Sequence, residues 1–422
     1  MTVTTVTAPA PRLLTTPARG RDRSRPKLVT GPLLLRFVTM LGASVSFYLL
    51  LSAVPLYART AAGGSAAGLA TAALMAATVA GELVTPRLAA RYGYRLTLAA
   101  GLILMGAPAL ALTGPANLEI VTAVCVVRGL GFAIMVVAGG SLTAALIPPE
   151  RRGEGLALTG LVAGVPSLAA LPAGVWLARQ IGYPAVFTAG AVAALAALAA
   201  VPGLPGRAGR RAARSRAVRM ARPAAVAGGT AASGRPLGVL AALRTPALLR
   251  PGLVFAATTT AAGIVVTFLP LTLSRAAGGL IALALFAQAA AATLTRCLAG
   301  RFGDRTGHQR LLIPALATAS AGVLTLAVTG APAAVLAGSL LFGAGFGVAQ
   351  NATLSLMYAR VPEASYPAVS AVWNIAYDAG MGLGAAGFGV LAAGTGYPAA
   401  FAITAAAMLA ALAPALRDRK TG

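Results

Sequence analysis

The chain contains 422 residues, of which 58% are hydrophobic and only 10% are charged. An ordinary soluble domain carries roughly 25% charged residues, so a water-soluble enzyme of this size is nearly excluded. Against this apolar background the formal net charge is +25, which in a soluble protein would indicate a nucleic-acid partner. The positions of the cations along the chain therefore decide the class of protein.

Cysteine and histidine are too scarce and too widely spaced for a disulfide framework, a zinc site or a catalytic Cys/His pair. Cys125 and Cys297 both fall inside apolar runs, and His308 is the only histidine. The N-terminal segment 1–31 is rich in Thr, Pro and Arg and lacks an apolar core followed by a small-residue cleavage site. It is predicted to form a retained polar tail, and no metal or cofactor is expected.

From residue 32 onward, twelve apolar stretches of roughly 20 residues follow, each long enough to cross about 30 Å of hydrocarbon. Abundant Ala and Gly suit close contact between helices. The sequence therefore predicts an all-α membrane protein. The predicted spans are 32–57, 65–88, 96–113, 118–144, 155–179, 184–203, 247–273, 279–300, 310–329, 332–357, 367–393 and 397–416.

The basic residues fall mainly on alternate connections between these spans. Only Arg59, Arg179 and Arg275 occupy the other set of connections. By the positive-inside rule, both termini and the central loop are predicted to be cytoplasmic, as in a multi-pass protein of the plasma membrane. The basic set comprises Arg87, Arg91, Arg95, Arg151, Arg152, Arg301, Arg305 and Arg310, the arginines from Arg207 to Arg235, and the cations of both tails.

The central basic loop has two interpretations. It is either a solvated topology signal or a surface for anionic lipid headgroups. Nucleic acid is not expected as a partner, because no aromatic residue lies among the arginines from Arg207 to Arg235.

The two halves of the chain repeat each other at a nearly constant offset along the sequence. The run GYPAVF at 182–187 matches GYPAAF at 396–401, and Leu35-Arg36 matches Leu249-Arg250 at the same offset. Because six spans separate the copies, both halves insert with the same orientation. The predicted organisation is a tail at 1–31, a six-helix bundle at 32–203, a basic linker at 204–246, a second bundle at 247–416 and a tail at 417–422.

A loop motif follows the eighth span, where the chain reads GRFGDRTG from Gly300 to Gly307 and contains Asp304 and Arg305. It resembles the GxxxDRxG signature that the major facilitator superfamily carries between helices 2 and 3 and, more weakly, between helices 8 and 9. The resemblance implies a gating loop in which Asp304 faces the start of the fifth helix around Gly153. A basic turn without a gating role is the alternative.

The corresponding loop of the first half keeps Arg91, Gly93 and Arg95, but Ala90 replaces the aspartate. A loop carboxylate can lie against the positive N-terminal end of a neighbouring helix. Without it, the first-half loop is expected to hold the start of helix 11 less firmly.

Two further motifs resemble those of the same family. Arg128 in the fourth span is followed by glycines, as in motif B, and an intramembrane arginine indicates proton coupling, substrate contact or bonding to backbone carbonyls. Pro166, Pro172 and Gly174 in the fifth span resemble the antiporter-associated motif C, although Leu171 stands where glycine usually precedes the proline. A kinked packing helix is the alternative for this segment.

Two carboxylates lie within predicted spans. Asp378 in the eleventh span follows Asn374 by four residues, so both share one helical face, and burial there would favour proton exchange or a structural hydrogen bond. Glu82 aligns through the repeat with Arg296, a reversal of charge at equivalent positions. These two residues are predicted either to belong to an ion network between the halves or to pair within their own halves.

Further polar residues are candidates for the substrate cavity. Asn351 in the tenth span and Thr258 in the seventh could donate hydrogen bonds to a substrate, although contacts between packed helices are the commoner use of such residues. Asn374 and Arg296 complete the predicted cavity set.

The resemblance, from Leu35 to Leu416, implies a major facilitator fold with two pseudo-symmetric six-helix bundles around a central cavity. No P-loop pattern occurs, so ATP is not expected to supply the energy directly. The resulting hypothesis is a monomeric, proton-coupled exporter of small apolar or amphipathic molecules, similar to twelve-helix drug/proton antiporters, with Asp378, Glu82 and Arg128 as coupling residues. Nutrient uptake by symport or uniport, and a non-transporting sensor or scaffold, are the alternatives.

Overall fold

The computed structural model describes residues 28–148, 151–206, 237–273, 278–362 and 365–421. Over these ranges the chain is helical and contains no β-strand. The first half comprises α1 (Gly31–Ala62), α2 (Gly64–Tyr92), α3 (Tyr94–Gly106), α4 (Leu118–Leu146), α5 (Arg152–Gln180) and α6 (Tyr183–Ala196). The second half comprises α7 (Pro246–Thr272), α8 (Gly278–Thr306), α9 (Leu312–Thr325), α10 (Pro332–Ala359), α11 (Tyr366–Thr395) and α12 (Tyr397–Leu409).

Shorter helical pieces extend this pattern. The 3₁₀ helices Ala107–Thr113 and Ala197–Gly203 prolong α3 and α6. A short helix, Val239–Arg244, precedes α7, and Leu412–Thr421 follows α12. The last predicted span, 397–416, is therefore broken near residues 410 and 411.

The predicted all-α architecture of twelve helices in two halves is confirmed, with one local difference. Eleven helical segments of the described chain are long and apolar enough to cross a membrane. The predicted ninth span, 310–329, differs because its α-helix, α9, has only 14 residues and follows the 3₁₀ turn His308–Leu311. Turns end it before Pro332, where α10 begins.

The repeat predicted from the sequence is also present in the backbone. Gly93 and Gly307 both have φ values in the left-handed region, 83° and 88°, and so do Gly182 and Gly396, at 88° and 77°. The members of each pair occupy equivalent positions of the repeat. Glycine is favoured at these turns because a β-carbon is strained at such φ values.

Close helix packing repeats at the same offset. A β-carbon on Gly129 would collide with the carbonyl oxygen of Leu74, and one on Gly343 would collide with that of Gln288. These contacts join α2 to α4 and α8 to α10. Within each half, glycine therefore sets the distance between two helices, as small residues do in membrane bundles.

Consecutive helices alternate in direction, so each helix runs between the same two ends of the molecule. We call the end where α1 begins the basic end, and the end where α1 finishes the far end. The halves meet toward the far end, where Thr71 of α2 and Thr267 of α7 share a hydrogen bond of 3.0 Å and Gly68 of α2 faces the backbone of Ala385. Toward the basic end the halves separate around a cavity.

Several cations named above lie outside the described residues. They are Arg275, the arginines from Arg207 to Arg235 and the cations of the N-terminal segment 1–27. The contact of the basic loop with lipid headgroups therefore stays a prediction.

Candidate functional site

The main cavity has a volume of about 330 Å³ and lies between the halves. Its walls come from the early parts of α1, α5 and α11 and the late parts of α2, α4, α8 and α10, so it belongs to the basic-end half of the molecule. The residues that define its chemistry are Arg36, Phe47, Tyr48, Glu82, Phe132, Val136, Arg296, Gln350, Trp373, Asn374, Tyr377 and Asp378.

Two buried carboxyl groups face this cavity from opposite halves. Glu82 on α2 is 7% exposed and Asp378 on α11 is 4% exposed. Both side chains line the same cavity, one from each half. Neither carboxylate oxygen of Glu82 has a hydrogen-bond partner in the described part of the chain. Since an unpartnered buried carboxylate is costly as an anion, a proton is the simplest group that would neutralise it.

Arg296, the repeat counterpart of Glu82, bonds within its own half. Its Nη1 donates to Oε1 of Gln350 on α10 at 3.3 Å. The residue equivalent to Gln350 in the first half is Val136, which offers Glu82 no polar partner. The predicted pairing of Glu82 with a residue of its own half is therefore not seen over the described ranges, whereas Arg296 does have a partner there.

Aromatic side chains form much of the remaining wall. Phe47 of α1 stacks on Phe132 of α4 with ring centroids 3.7 Å apart. On the opposite side, Trp373 stacks on Phe255 at 4.3 Å, and Tyr377 lies beside it. This surface suits flat, apolar groups. These residues were not predicted from the sequence, because aromatic side chains in a membrane span carry no signal for the face that meets a cavity.

Arg36 is a further cavity residue that was not predicted from the sequence. Its side chain is 3% exposed, and its Nε and Nη2 donate to the carbonyl oxygens of Gly139 and Met135 on α4 at 3.0 and 3.3 Å. Its Nη1 donates to Thr39 at 3.1 Å. In the sequence, Arg36 served only as evidence for the repeat, through the match between Leu35-Arg36 and Leu249-Arg250, and no cavity role was predicted for it.

Arg128 does not line the main cavity. Its guanidinium donates to the backbone oxygen of Ser46 at 3.0 Å, to the Ser46 hydroxyl at 3.4 Å and to the carbonyl oxygen of Met105. These bonds join α4 to α1 and α3. The arrangement fits the predicted alternative of a partner for backbone carbonyls, and the coupling role of Arg128 stays a prediction.

The antiporter-like segment of α5 packs against α1. A β-carbon on Gly174 would collide with the carbonyl oxygen of Leu49, and the Ser52 hydroxyl donates to the carbonyl oxygen of Leu171 at 2.7 Å. Both prolines lie inside α5, Pro166 before this contact region and Pro172 within it. The segment thus brings two helices of the first half together, and its role in antiport stays a prediction.

The four predicted cavity residues are not all together. Arg296 and Asn374 line the cavity. Thr258 is fully buried and donates to the carbonyl oxygen of Phe255 at 2.8 Å. Asn351 lies near Gly300, and its buried Oδ1 has no partner in the described part of the protein. Neither Thr258 nor Asn351 lines the cavity, and substrate contact by these two residues stays a prediction.

The predicted gating loop of the first half connects α3 to the end of the first bundle. Nε and Nη2 of Arg95 donate to the carbonyl oxygen of Leu204 at 3.1 and 2.6 Å. The Arg91 guanidinium carbon lies 5.3 Å from the centroid of the Tyr92 ring. Gly93 supplies the turn between α2 and α3.

In the second-half loop, Gly307 makes the equivalent turn and Arg305 is exposed. Gly300 lies on α8 opposite Asn351. The side chain of Asp304 and the start of α5 around Gly153 fall outside what the structure describes at side-chain level. Gating by this loop stays a prediction.

Two repeated six-helix halves around a cavity that lies toward one end define the architecture of an alternating-access membrane transporter. The family model described as the Major Facilitator Superfamily matches the chain twice, over residues 36–278 and 251–421. The chain belongs to this superfamily and is a multi-pass membrane transporter rather than an enzyme. No curated protein matches it by sequence.

Solved structures of other transporters are similar over nearly the whole chain. A xylose transporter from E. coli in a partially occluded, inward-open conformation is 14% identical, with a TM-score of 0.71 over 93% of this chain and 99% of that one. A peptide transporter is 16% identical, with a TM-score of 0.69 over 92% and 94%. A nucleoside transporter is 13% identical, with a TM-score of 0.65 over 93% and 99%. At these identities the likeness shows the fold alone.

Proposed function

We propose that this protein is a proton-coupled transporter of the plasma membrane that exports small apolar or amphipathic molecules by alternating access. The observation that carries the proposal is the pair of buried carboxyl groups, Glu82 and Asp378, on opposite walls of one cavity. Each half contributes one of them, so a change in the distance between the halves also changes the environment of both groups.

The chemistry of the pair supports proton coupling. A buried carboxyl group that gains water contact as the cavity opens can release a proton, and it can take one up when it is enclosed again. Asp378 and Glu82 are therefore the proposed proton carriers. Arg128 is not proposed as a proton carrier, because its guanidinium donates to carbonyl oxygens of α1 and α3.

The cavity wall supports an apolar or amphipathic substrate. Phe47, Phe132, Trp373 and Tyr377 offer aromatic surface. Arg36 already donates two hydrogen bonds to α4 and one to Thr39. A polyanion would need more free cations than the wall supplies. The basic end, at which the cavity lies, is cytoplasmic by the positive-inside rule, and a cytoplasmic cavity is where an exporter loads its substrate.

The test uses purified protein in liposomes that contain a pH-sensitive dye, with a panel of apolar and amphipathic compounds as substrates. We expect Asp378→Asn to abolish substrate-dependent proton flux and Glu82→Gln to reduce it severalfold, because each variant removes a proton-binding group. The matched control is Glu119→Gln, which alters an exposed carboxylate in the first turn of α4 at the far end.

Unchanged proton flux in both cavity variants would refute the coupling assignment. Direction is read in the same liposomes, since export by antiport moves substrate and proton in opposite directions. Uptake by symport, the alternative function, moves both in the same direction, and the sugar and nucleoside transporters of similar fold are the reason to measure it.

A further inference from the structure

Two arginines of the first half bind the end of a helix in the second half. Nη1 of Arg59, at the end of α1, donates to the carbonyl oxygen of Leu271 at 3.0 Å. Nη2 of Arg179, at the end of α5, donates to the carbonyl oxygen of Pro270 at 3.1 Å. Both acceptors belong to the last turn of α7, which ends at Thr272. Helices α1 and α5 of the first half thus both contact the C-terminal end of α7 in the second half.

The chemistry of a helix end explains why arginine is a suitable partner for these carbonyl groups. The last four carbonyl groups of an α-helix have no partner within the helix, and they form the negative end of the helix dipole. Guanidinium groups suit this site because they supply both hydrogen-bond donors and positive charge. Around these carbonyls α7 is buried, with Thr267 and Leu269 both at 0% exposure, whereas Arg59 is exposed and Arg179 is half-buried. The two bonds therefore lie at the rim of the contact between the halves and are partly buried.

The positions of these arginines in the sequence are unusual. Arg59 and Arg179, together with Arg275, are the cations of the connections at the far end, which are otherwise free of positive charge. The positive-inside rule disfavours arginine there. A specific contact made by Arg59 and Arg179 gives a physical reason for their presence at that end.

We propose that Arg59 and Arg179 act as a clamp on the C-terminal end of α7 that keeps the far end of the transporter closed. To open the far end, α7 must separate from α1 and α5, and both charged hydrogen bonds must break. The clamp therefore favours the conformation in which the cavity faces the basic end. This inference concerns conformation only and does not depend on the substrate or on proton coupling.

The expected size of the effect follows from the kind of bond. A hydrogen bond to a charged group contributes enough stability that its loss shifts a two-state equilibrium by about tenfold. Arg179→Gln should therefore raise the population with an open far end by up to about tenfold. Arg59→Gln should raise it by a smaller factor, because Arg59 is exposed and water competes for its donors. The double variant should raise it further.

The experiment measures cysteine accessibility at both ends in detergent-solubilised full-length protein. The background carries Cys125→Ala and Cys297→Ser. Thr71→Cys reports on the far end, because Thr71 is buried between the halves beside Thr267. Gly140→Cys reports on the cavity, because Gly140 lines the cavity with open space for a β-carbon. The labelling rate by a polar maleimide is measured for each reporter.

The clamp predicts opposite changes at the two reporters. In the clamp variants, labelling at position 71 should accelerate and labelling at position 140 should slow, whereas a misfolded protein would accelerate both. Arg59→Lys and Arg179→Lys retain a charged donor and should restore part of the slow labelling at position 71. The matched control is Arg87→Gln, which removes an exposed arginine at the basic end.

Labelling at position 71 that stays unchanged in the double variant would overturn the clamp. Because no substrate is present, this outcome would leave the proton-flux test of Glu82 and Asp378 unaffected. Acceleration at both positions would also overturn it, because it would show general loosening rather than a shift between two states.

Discussion

The two halves of the molecule share their backbone packing but differ in the side chains that face the cavity. Gly129 and Gly343 occupy equivalent helix contacts, as do the left-handed glycines Gly93 and Gly307. In the cavity wall, by contrast, Tyr377 has Ala163 as its equivalent, and at the positions of Glu82 and Arg296 the charge is reversed. The duplication has thus been retained where helices must touch and lost where a substrate would bind.

This difference separates two kinds of constraint. A glycine packed against a carbonyl oxygen cannot gain a side chain in either half without moving a helix, so both copies keep it. A cavity residue faces open space, so each copy can change independently. The cavity has therefore acquired two different walls, with an acidic group on each and different aromatic side chains: Phe47, Tyr48 and Phe132 on one side, Trp373 and Tyr377 on the other.

The largest expected effect tests the shared packing. Gly129→Val and Gly343→Val each place a branched side chain against a backbone carbonyl. We expect each to destabilise the protein by about 3 kcal/mol and to reduce the yield of folded material. The measurement is the monodisperse fraction and the midpoint of thermal unfolding in detergent. Gly387→Val is the matched control, because a β-carbon at Gly387 meets no atom within 4 Å.

If only one of the two glycine variants were harmful, the equivalence of the halves at this contact would be wrong. Comparable losses in both would show that the same distance constraint still acts on each copy.

An intermediate effect is expected at Arg128, whose equivalent in the second half is the apolar Phe342. Arg128→Ala removes the bonds to Ser46 and Met105, and we expect a loss of about 2 kcal/mol in stability. Substrate affinity should change little, because the side chain does not line the cavity. Thermal unfolding and substrate binding, measured on the same preparation, check both statements.

Arg87→Ala serves as the comparison for Arg128, since it removes an exposed arginine from α2. A protein with Arg128→Ala that keeps its stability but loses substrate-dependent proton flux would instead support the coupling role predicted from the sequence.

The smallest expected effect concerns the turn glycines. Gly93→Ala and Gly307→Ala each force a β-carbon into the left-handed region, at a cost of about 1 kcal/mol. The two thermal midpoints should fall by similar amounts. Gly160→Ala is the control, because this glycine has open space around it and a helical alanine is favoured there. Unequal losses would mean that one loop carries strain that the other lacks.

The sequence predicted the helices well, because length and apolar composition define a membrane span. The repeat was equally visible, since runs such as 182–187 and 396–401 keep their spacing. The early end of α9 was not predicted, because residues 326–328 that follow it (Leu, Ala and Val) are as apolar as the helix itself.

The site was predicted only in part. Glu82, Asp378, Arg296 and Asn374 stood out as rare polar residues in apolar spans, and all four line the cavity. The aromatic wall could not be predicted in this way, because lipid and protein interior favour the same side chains and the period of a helix then carries little information. The partners of Arg36 were equally hidden, since backbone carbonyl groups have no signature in a sequence.

The contact between Arg59, Arg179 and the end of α7 has a genetic consequence. Its donors are side chains of the first half, whereas its acceptors are backbone carbonyl groups of Pro270 and Leu271. Substitutions at the acceptor positions keep the carbonyl oxygen, so changing those side chains does not delete the contact. A selection for variants that open the far end by breaking it should therefore return changes at residues 59 and 179 far more often than at residues 270 and 271. Substitutions that change the balance between the two conformations through this contact would then lie mainly in the first half of the chain.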